Sequence, residues 1–449
     1  MIAGVAAGHP ATARAGIEIL EAGGSAADAA VAASLASCVA ETVMTGLLGG
    51  GHAIHWDGRT ARNLDGFCTV PTGEGGELTH LEVPFGAEVV HYAVGAASCA
   101  VPGVPALLGE LHAAHGRLPW RALVRPALRL ARDGVAMPEA HVACLAMLEP
   151  VMTMREGARM YAPGGTLLRP GEELHQPGLA AALESLADEG AAGAYTGTIG
   201  RALVALSDER GGRLTRSDLE GYRAVWREPV AVEWRGRRIL TRGGLSGVPQ
   251  TLQRFATPGL VPLVEALDVP HAQQTHTTNL VAVDRDGNAC VLTTSLGLGS
   301  GDWLPGLDLH LNSMLGEADL LQGGLEPGGR MQSMMAPSLV FGSDGLELAI
   351  GAAGGTRLRT ALVAVLAGIV DDGLDVQAAV DRPRAHPAGA VVNAEPGVDP
   401  AALAELERRG RTVRRWPDRH HYFGGVSAIG RAGLAADPRR SGLALAAGA

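Results

Sequence analysis

Residues 277–289 read TTNLVAVDRDGNA, and this stretch decides the fold. The apolar run 280–283 leads into a polar turn at 286–288, and a second apolar run follows the turn. An Asp-Gly pair between two such runs is typical of a β-hairpin, because its residues accept the positive φ angles of a tight turn. The pattern therefore predicts two paired strands, with Thr277 and Thr278 at the start of the first.

Helical and extended patterns alternate in the N-terminal part of the chain. Residues 10–23 show helical spacing of apolar residues and end at a Gly-Gly pair. Ser25 is a candidate N-cap for a second helix that runs to about Val39. Residues 53–56 have the pattern of a short strand, and the Asp-Gly pair at 57–58 indicates a further hairpin.

The same alternation continues through the rest of the chain. Residues 101–150 and 178–210 are mostly helical in pattern, whereas residues 222–240 alternate in polarity and look extended. After Thr277 the pattern favours strands, with one apolar helix at about 360–370. Interleaved helices and strands, together with hairpins, favour α/β layers over a helical bundle.

Composition limits the classes of protein that the chain can belong to. With 449 residues, 47% of them hydrophobic, it has enough apolar surface for two or three ordinary domains or one large α/β unit. Its net charge of −10 disfavours binding to nucleic acid or to anionic membranes. The N-terminus shows no basic segment followed by an apolar one, and the Ala-rich stretch 25–40 contains Asp28. We therefore expect a cytoplasmic protein without a membrane span.

The reactive side chains show no spacing typical of a metal site. The five cysteines lack a Cys-x-x-Cys pair, and the histidines lack the His-Glu-x-x-His spacing of metalloenzymes. A dinucleotide fingerprint and a Gly-x-Ser-x-Gly motif are missing as well. We expect small buried cysteines, no disulfide framework, and an activity that uses neither a metal nor another cofactor.

Several segments occur together in an order that resembles one known family. They are HPATARAGIEILEAGGSAADAAVAA (9–33), VPGVPALLGELHAAHGRLPWRALVRPALRLARDG (101–134), DLEGYRAVWREPV (218–230), GAAGG (351–355), DVQAAVDRPRAHP (375–387) and HHYFGGVSA (420–428). With the hairpin stretch, they resemble the γ-glutamyltransferase family of N-terminal-nucleophile hydrolases. The resemblance implies a four-layer αββα sandwich of two stacked sheets. The region between about Val248 and Thr277 is far shorter than is usual in this family.

The resemblance also implies self-cleavage between His276 and Thr277. It would give a large fragment, 1–276, and a small fragment, 277–449, which form one αββα unit as a heterodimer, with a dimer of these as a further option. The chemical reason is that a hydroxyl is a weak nucleophile and needs an adjacent base. A freed α-amino group, with a pKa of about 7.7–8.0, can take that proton without a histidine. Thr275 and Thr278 are competing cleavage positions, and the match of the hairpin stretch selects Thr277.

Two further elements of the catalytic site follow from the resemblance. Gly354 and Gly355 correspond to a Gly-Gly pair whose backbone N–H groups form an oxyanion hole, although paired glycines most often form only a tight turn. Ser295 corresponds to a hydroxyl residue that supports the nucleophile, with Thr293 and Thr294 as rivals for that role. The expected catalytic residues are thus Thr277, Ser295, Gly354 and Gly355.

The expected substrate pocket departs from the family pattern. The positions implied to contact substrate hold Phe67, Gly297, Asn312, Ser333 and Met334. Classical members place an arginine where this chain has Phe67, and an aromatic ring cannot make the bidentate pair that arginine makes with a carboxylate. The acidic position that follows the Asn motif is also occupied by glycine, with a glutamate next to it. We therefore predict that the nucleophile is retained and that the clamp for a glutamyl group is lost.

Three functions remain open from the sequence. The first is a self-processing threonine hydrolase that cleaves a bond beside a carbonyl in a small molecule, either an amide or a C–C bond as in alkylproline precursor biosynthesis. The second is a conventional γ-glutamyl hydrolase or transpeptidase that anchors the carboxylate through another arginine, such as Arg62 or Arg330. The third is an unprocessed pseudoenzyme with a binding role.

Overall fold

Helices and strands alternate along the chain of the computed structural model, which describes residues 1–85, 88–268, 277–317, 320–321 and 325–448. The α-helices in these ranges are α1 (Pro10–Glu21), α2 (Ala26–Ala40), α3 (Val104–His115), α4 (Trp120–Asp133), α5 (Glu139–Met152), α6 (Gly157–Tyr161), α7 (Pro177–Glu189), α8 (Gly193–Thr196), α9 (Thr198–Arg210), α10 (Arg216–Gly221), α11 (Val248–Arg254), α12 (Leu260–Leu267), α13 (Arg357–Val370), α14 (Val376–Asp381) and α15 (Pro400–Arg408). The strands are β1 (Gly4–Ala7), β2 (Gly50–Trp56), β3 (Ala61–Gly66), β4 (Thr79–Phe85), β5 (Glu88–Val94), β6 (Val135–Ala136), β7 (Glu173–Leu174), β8 (Val225–Arg227), β9 (Val230–Trp234), β10 (Arg237–Thr241), β11 (Thr278–Val283), β12 (Ala289–Ser295), β13 (Trp303–Leu304), β14 (Leu309–His310), β15 (Ser338–Gly342), β16 (Gly345–Ala353), β17 (Ala385–Ala388), β18 (Val391–Ala394), β19 (Thr412–Arg415), β20 (Gly425–Gly430), β21 (Leu434–Ala436) and β22 (Leu443–Ala446).

Two antiparallel sheets organise the structure. The first has the strand order β22-β1-β11-β12-β2-β3-β8, and the second has the order β21-β20-β16-β15-β10-β9. The predicted hairpins are confirmed: β11 pairs with β12 around the turn at 284–288, and β2 pairs with β3 around the turn at 57–60. Strands from before and after Thr277 occur in both sheets, so the two segments form one folded unit.

The sheets stack face to face and are covered by helices on their outer faces. Between the sheets, Val281 and Val291 of the first pack against Leu339 and Ala349 of the second. The opposite face of the first sheet packs on α1, α2, α3, α4, α7 and α9. The opposite face of the second packs on α11, α12, α13 and α14. Successive side chains of a strand point to opposite faces of its sheet, so alternate residues pack in different cores. The expected αββα arrangement is confirmed.

The N-terminal helices follow the predicted boundaries closely. The Ser25 hydroxyl caps α2 by accepting the N–H of Asp28, and the Asp28 carboxylate accepts the N–H of Ser25 in return. Every residue of α2 is buried, and its many alanines allow close packing against α1 and α4. The five cysteines are all free and buried. Within the described ranges, no helix has the length and apolar character needed to cross a bilayer.

The expectation of a single helix after Thr277 was wrong. Besides α13, the chain forms α14 and α15 there, each with an aspartate cap: Asp375 accepts the N–H of Ala378, and Asp399 accepts that of Ala401. Both helices are short, with six and nine residues, so their apolar periodicity is weak. The Asp-Pro pair at 399–400 was a usable start signal, since proline is favoured in the first helical turn.

Asp284 ties the β11–β12 hairpin to the start of α2. Its side chain is almost fully buried, and its carboxylate accepts hydrogen bonds from the backbone N–H groups of Ala26, Asp286 and Asn288 at 3.0–3.1 Å. The Asn288 side chain donates a fourth at 2.9 Å. A buried carboxylate with four donors stabilises both the turn and the helix end. The position of β11, and hence of Thr277, depends on this anchor.

Replacing Asp284 by alanine is expected to lower the free energy of unfolding by roughly 3 kcal/mol, because it leaves several buried N–H groups without an acceptor. Urea unfolding followed by circular dichroism measures the change. Asp286→Ala is the matched control, since Asp286 lies in the same turn but is exposed and forms a surface ion pair with Arg117. Equal stability of the two variants would contradict the anchoring role.

Candidate active site

Thr277 lies directly before β11 at one end of the first sheet, and it is 2% exposed. In the β11–β12 pairing Thr278 is opposite Thr294, and one step further the same register sets Thr277 opposite Ser295. Ser295 in turn pairs with Gly50 of β2. Thr277, Ser295 and Gly50 therefore form a row across three neighbouring strands.

Phe67, which directly follows β3, extends this row. A Cβ atom on Gly50 would lie only 2.9 Å from the Phe67 ring, so glycine at this position leaves room for the aromatic side chain. The ring also stacks on His52, with 5.5 Å between the ring centroids. Phe67 is 1% exposed and is held in the wall beside the row.

Gly354 comes from the second sheet and contacts Thr277 directly. Its backbone N–H donates a hydrogen bond of 2.7 Å to the Thr277 hydroxyl oxygen. Gly354 has φ of 127° and Gly355 has φ of 58°, and a Cβ atom on Gly354 would lie 2.8 Å from Gly424 Cα. Both glycines precede α13, whose N-terminus favours negative charge. The structure thus brings Thr277, Ser295, Gly354 and Gly355 together.

A small cavity opens beside Thr277, and its empty space is about 270 Å³ when its open mouth is included. Its other lining residues are Phe67, Ser295, Met314, Glu317, Leu320, Ser333, Met334, Met335, Gly355 and Leu358. The surface is mainly apolar, and no arginine or lysine occurs in it among the residues that the structure describes. Among the described lining residues, Glu317 supplies the carboxyl group. Tyr92 is a neighbour of Glu317, and burial together with the charge of Glu317 raises the pKa of the Tyr92 hydroxyl.

Three of the five expected pocket residues line this cavity, and two do not. Phe67, Ser333 and Met334 are in the lining. Asn312 is fully buried elsewhere: its amide donates to Leu48 O and Ala100 O at 2.8 and 2.9 Å and accepts the N–H of Ala100 at 3.0 Å. Asn312 therefore holds neighbouring loops together instead of lining the cavity, because its amide group is hydrogen-bonded to backbone groups.

Gly297 is also outside the cavity lining. It has φ of 71°, and a Cβ atom there would lie 2.8 Å from the Ser313 hydroxyl. Its N–H donates to the Ser295 hydroxyl at 3.0 Å. The structure therefore gives Gly297 a part in orienting Ser295 instead of a substrate contact.

The rivals of Ser295 are engaged with other side chains. The Thr293 hydroxyl accepts a hydrogen bond from the Asn279 amide at 2.8 Å, and the Thr294 hydroxyl accepts one from Thr45 at 2.8 Å. Ser295, by contrast, lines the cavity next to Thr277. Because side chains alternate along β12, Thr294 points to the opposite face of the sheet.

The two arginines that were considered as alternative carboxylate anchors lie outside the cavity. Arg330 donates to Phe67 O at 2.6 Å and to the Tyr222 hydroxyl at 2.7 Å, on the far side of the wall that Phe67 forms. The Arg62 guanidinium lies over the Trp226 ring, 5.4 Å from its centroid. Neither is among the described residues that face Thr277.

A second cavity on the other side of Thr277 contains charged residues that the sequence analysis did not single out. The buried Glu41 carboxylate accepts hydrogen bonds from the hydroxyls of Thr12, at 2.6 Å, and Thr278. Arg440 lines the same cavity and donates to the Met44 sulfur at 3.0 Å. Burial raises the pKa of Glu41, in spite of the hydroxyl donors and the arginine. Neither Glu41 nor Arg440 belongs to a recognisable sequence motif. The one usable signal for Glu41 was its position as a charged residue directly after the mainly apolar segment 26–40.

The expected cleavage partner His276 lies outside the described residues. Thr275, one of the rival cleavage positions, lies outside them as well. The other rival, Thr278, is the first residue of β11, and its hydroxyl is bound to Glu41. Of the two described threonines, Thr277 is thus the one whose hydroxyl meets the glycine N–H.

Comparison with known proteins shows the family. The family model described as Gamma-glutamyltranspeptidase matches residues 12–257 and 261–447, so the chain belongs to this family. "Acylase ACY 1 proenzyme" of Pseudomonas sp. (strain SE83) is 29% identical, over 95% of this chain and 89% of that protein. "Glutathione hydrolase proenzyme" of Pseudomonas aeruginosa is 27% identical, over 98% and 94%. The crystal structure of cephalosporin acylase from Bacillus halodurans matches with a TM-score of 0.86 and 25% identity, covering 99% of this chain and 96% of that one.

These matches confirm the resemblance found in the sequence. The protein is an enzyme of the γ-glutamyltranspeptidase family with the N-terminal-nucleophile hydrolase fold, and it is a divergent member. The family includes acylases as well as glutathione hydrolases among the relatives above. The match therefore establishes the class of enzyme. The identity of the acyl group has to be inferred from the residues that line the pocket.

Replacing Gly354 by alanine is expected to reduce kcat by roughly 10²–10³, because the added Cβ displaces the N–H that meets Thr277. Steady-state hydrolysis of a chromogenic amide measures the loss. Gly221→Ala is the matched control, since a Cβ atom there meets no atom within 4 Å and its φ is ordinary. Unchanged kcat in the Gly354 variant would exclude an oxyanion role for this N–H.

Proposed function

We propose that this chain is a proenzyme that cleaves itself between His276 and Thr277 and then uses Thr277 as an N-terminal nucleophile. One observation carries the proposal: the buried Thr277 hydroxyl meets the Gly354 N–H at 2.7 Å, beside a mainly apolar cavity. Two relatives that span nearly the whole chain are named as proenzymes, which agrees with self-processing. The fragments 1–276 and 277–449 then remain together as a heterodimer, because each contributes strands to both sheets.

The proposed reaction follows from these groups. In the precursor, the Thr277 hydroxyl attacks the carbonyl of residue 276, the peptide C–N bond breaks, and water hydrolyses the resulting ester. In the mature enzyme the free α-amino group takes the hydroxyl proton as Oγ attacks the substrate carbonyl. The Gly354 and Gly355 N–H groups stabilise the oxyanion, and the proton passes to the leaving amine. Water then hydrolyses the acyl ester and restores Thr277.

The cavity supports an apolar acyl group as the part of the substrate bound next to Thr277. Phe67, Met334 and Met335 form much of its surface, and a glutamyl group would bring a carboxylate and an ammonium group into it. Glu317 supplies an acceptor for the ammonium group, but no arginine or lysine among the described lining residues meets the carboxylate, and burying a charge without a matched partner is costly. The likeness to Acylase ACY 1 proenzyme favours an amide as the scissile bond. Hydrolysis of a C–C bond beside a ketone would use the same nucleophile and oxyanion hole, and it is the second candidate.

Thr277→Ala is expected to remain a single chain of 46.0 kDa, whereas the wild type divides into two fragments. The reason is that alanine lacks the hydroxyl that attacks the preceding carbonyl. A denaturing gel with N-terminal sequencing of the small fragment measures this. Thr275→Ala serves as the control and is expected to divide normally. An intact wild-type chain would instead support the pseudoenzyme.

The mature enzyme is expected to hydrolyse a phenylacetyl para-nitroanilide at least roughly 100-fold faster, in kcat/KM, than a γ-glutamyl para-nitroanilide. About 3 kcal/mol of disfavoured charge burial gives this ratio. Release of nitroaniline is read by absorbance for both compounds, which share one leaving group. Comparable or faster turnover of the γ-glutamyl compound would show that a glutamate anchor exists and would support the conventional activity.

A further inference from the structure

A third pocket lies on the outer side of the wall that borders the Thr277 cavity. It measures about 900 Å³, including its open mouth, and its polar lining residues are Asn63, Asp65, Arg227, Glu228, Arg242, Arg330, Gln332 and Ser333. Ser333 lines both this pocket and the Thr277 cavity. The two spaces therefore adjoin at Ser333.

The wall between the two spaces is held from outside by arginines. Arg242 donates to the backbone carbonyls of Ser333 and Met335, at 3.4 and 3.1 Å. Arg330 donates to Phe67 O at 2.6 Å. Phe67, Ser333 and Met335 also line the Thr277 cavity. The guanidinium groups of Arg242 and Arg330 are thus separated from the Thr277 cavity by about the thickness of one backbone segment.

The outer pocket carries more positive than negative charge. Three guanidinium groups face two carboxylates, and Asp65 is shared: it lies 3.4 Å from Arg227 and 3.9 Å from Arg330. The hydrogen bonds of Arg242 go to neutral carbonyl oxygens, and the nearby negative charge of Asp65 is shared with Arg227 and Arg330. Burial lowers the pKa of Arg242 to about 10, so the group is still charged at neutral pH. Such an arrangement favours an anion with oxygen acceptors.

We propose that this basic pocket, defined by Arg227, Arg242 and Arg330, binds a carboxylate on the leaving-group part of the substrate. The inference rests on the proposed function, because an acyl group bonded to Thr277 has to occupy the apolar cavity. The rest of the substrate then extends past Ser333 toward the arginines. The substrate class is accordingly an N-acyl derivative of an amino acid or aminobenzoate-like acid, with an apolar acyl group and an anionic amine part.

Two chromogenic amides with the same phenylacetyl group test the proposal: one of para-nitroaniline and one of a nitro-substituted aminobenzoate, which adds a single carboxylate. The wild type is expected to prefer the anionic compound about tenfold in kcat/KM, mainly through KM, which corresponds to one charge-assisted contact. Arg227→Gln is expected to abolish this preference, and Arg227→Glu to reverse it. Arg227 is suited to the change because its side chain is 57% exposed.

Arg238→Gln is the matched control, since Arg238 is exposed on β10 outside the pocket and its loss changes the net charge equally. It is expected to keep the wild-type preference. The free nitro-aminobenzoate provides a second readout by calorimetry, and it is expected to bind the wild type about tenfold more tightly than Arg227→Gln. Equal binding to both proteins, or an equal preference in all variants, would overturn the basic-pocket proposal. Failure of the proposed function is distinct, because it removes turnover of both amides while calorimetry still reports on the pocket.

Discussion

The hydrogen bond between the Gly354 N–H and the Thr277 hydroxyl joins the ends of two different sheets, and the active site depends on it. Thr277 directly precedes β11 in the first sheet, and Gly354 directly follows β16 in the second. The contact forms only if the sheets stack at the right depth, which the apolar layer around Val281 and Leu339 sets. Because close packing makes such a layer stiff, the core fixes the distance between Thr277 and Gly354.

Glycine recurs at the closest approaches in this region for a steric reason. At Gly50, a Cβ atom would collide with Phe67, and at Gly354 it would collide with Gly424. Only the absence of a side chain allows a ring or a backbone to come so near to Thr277. The open space beside Thr277 is therefore confined to the apolar cavity that Ser333 lines and to the cavity that contains Glu41 and Arg440. Steric fit and the scarcity of charged groups in the apolar cavity together limit what can lie beside Thr277.

Much of the fold and part of the site could be predicted from the sequence. Local signals, such as the Asp-Gly turn at 286–287 and the Ser25 cap, gave the hairpin and α2 because they act over a few residues. The roles of Asn312 and Glu41 could not be predicted in this way. Asn312 binds backbone at Leu48 and Ala100, and Glu41 meets Thr278, more than 200 residues away. Such contacts depend on tertiary packing, which no local pattern records.

The central claim is that Thr277 becomes the N-terminal residue of a fragment and carries the acyl group during turnover. Acid quenching during hydrolysis of the phenylacetyl amide, followed by mass spectrometry of peptides, tests it most directly. The account predicts a small fragment that begins with Thr277 and bears one phenylacetyl group on its first residue. An undivided chain, or a phenylacetyl group on any other residue, would contradict it.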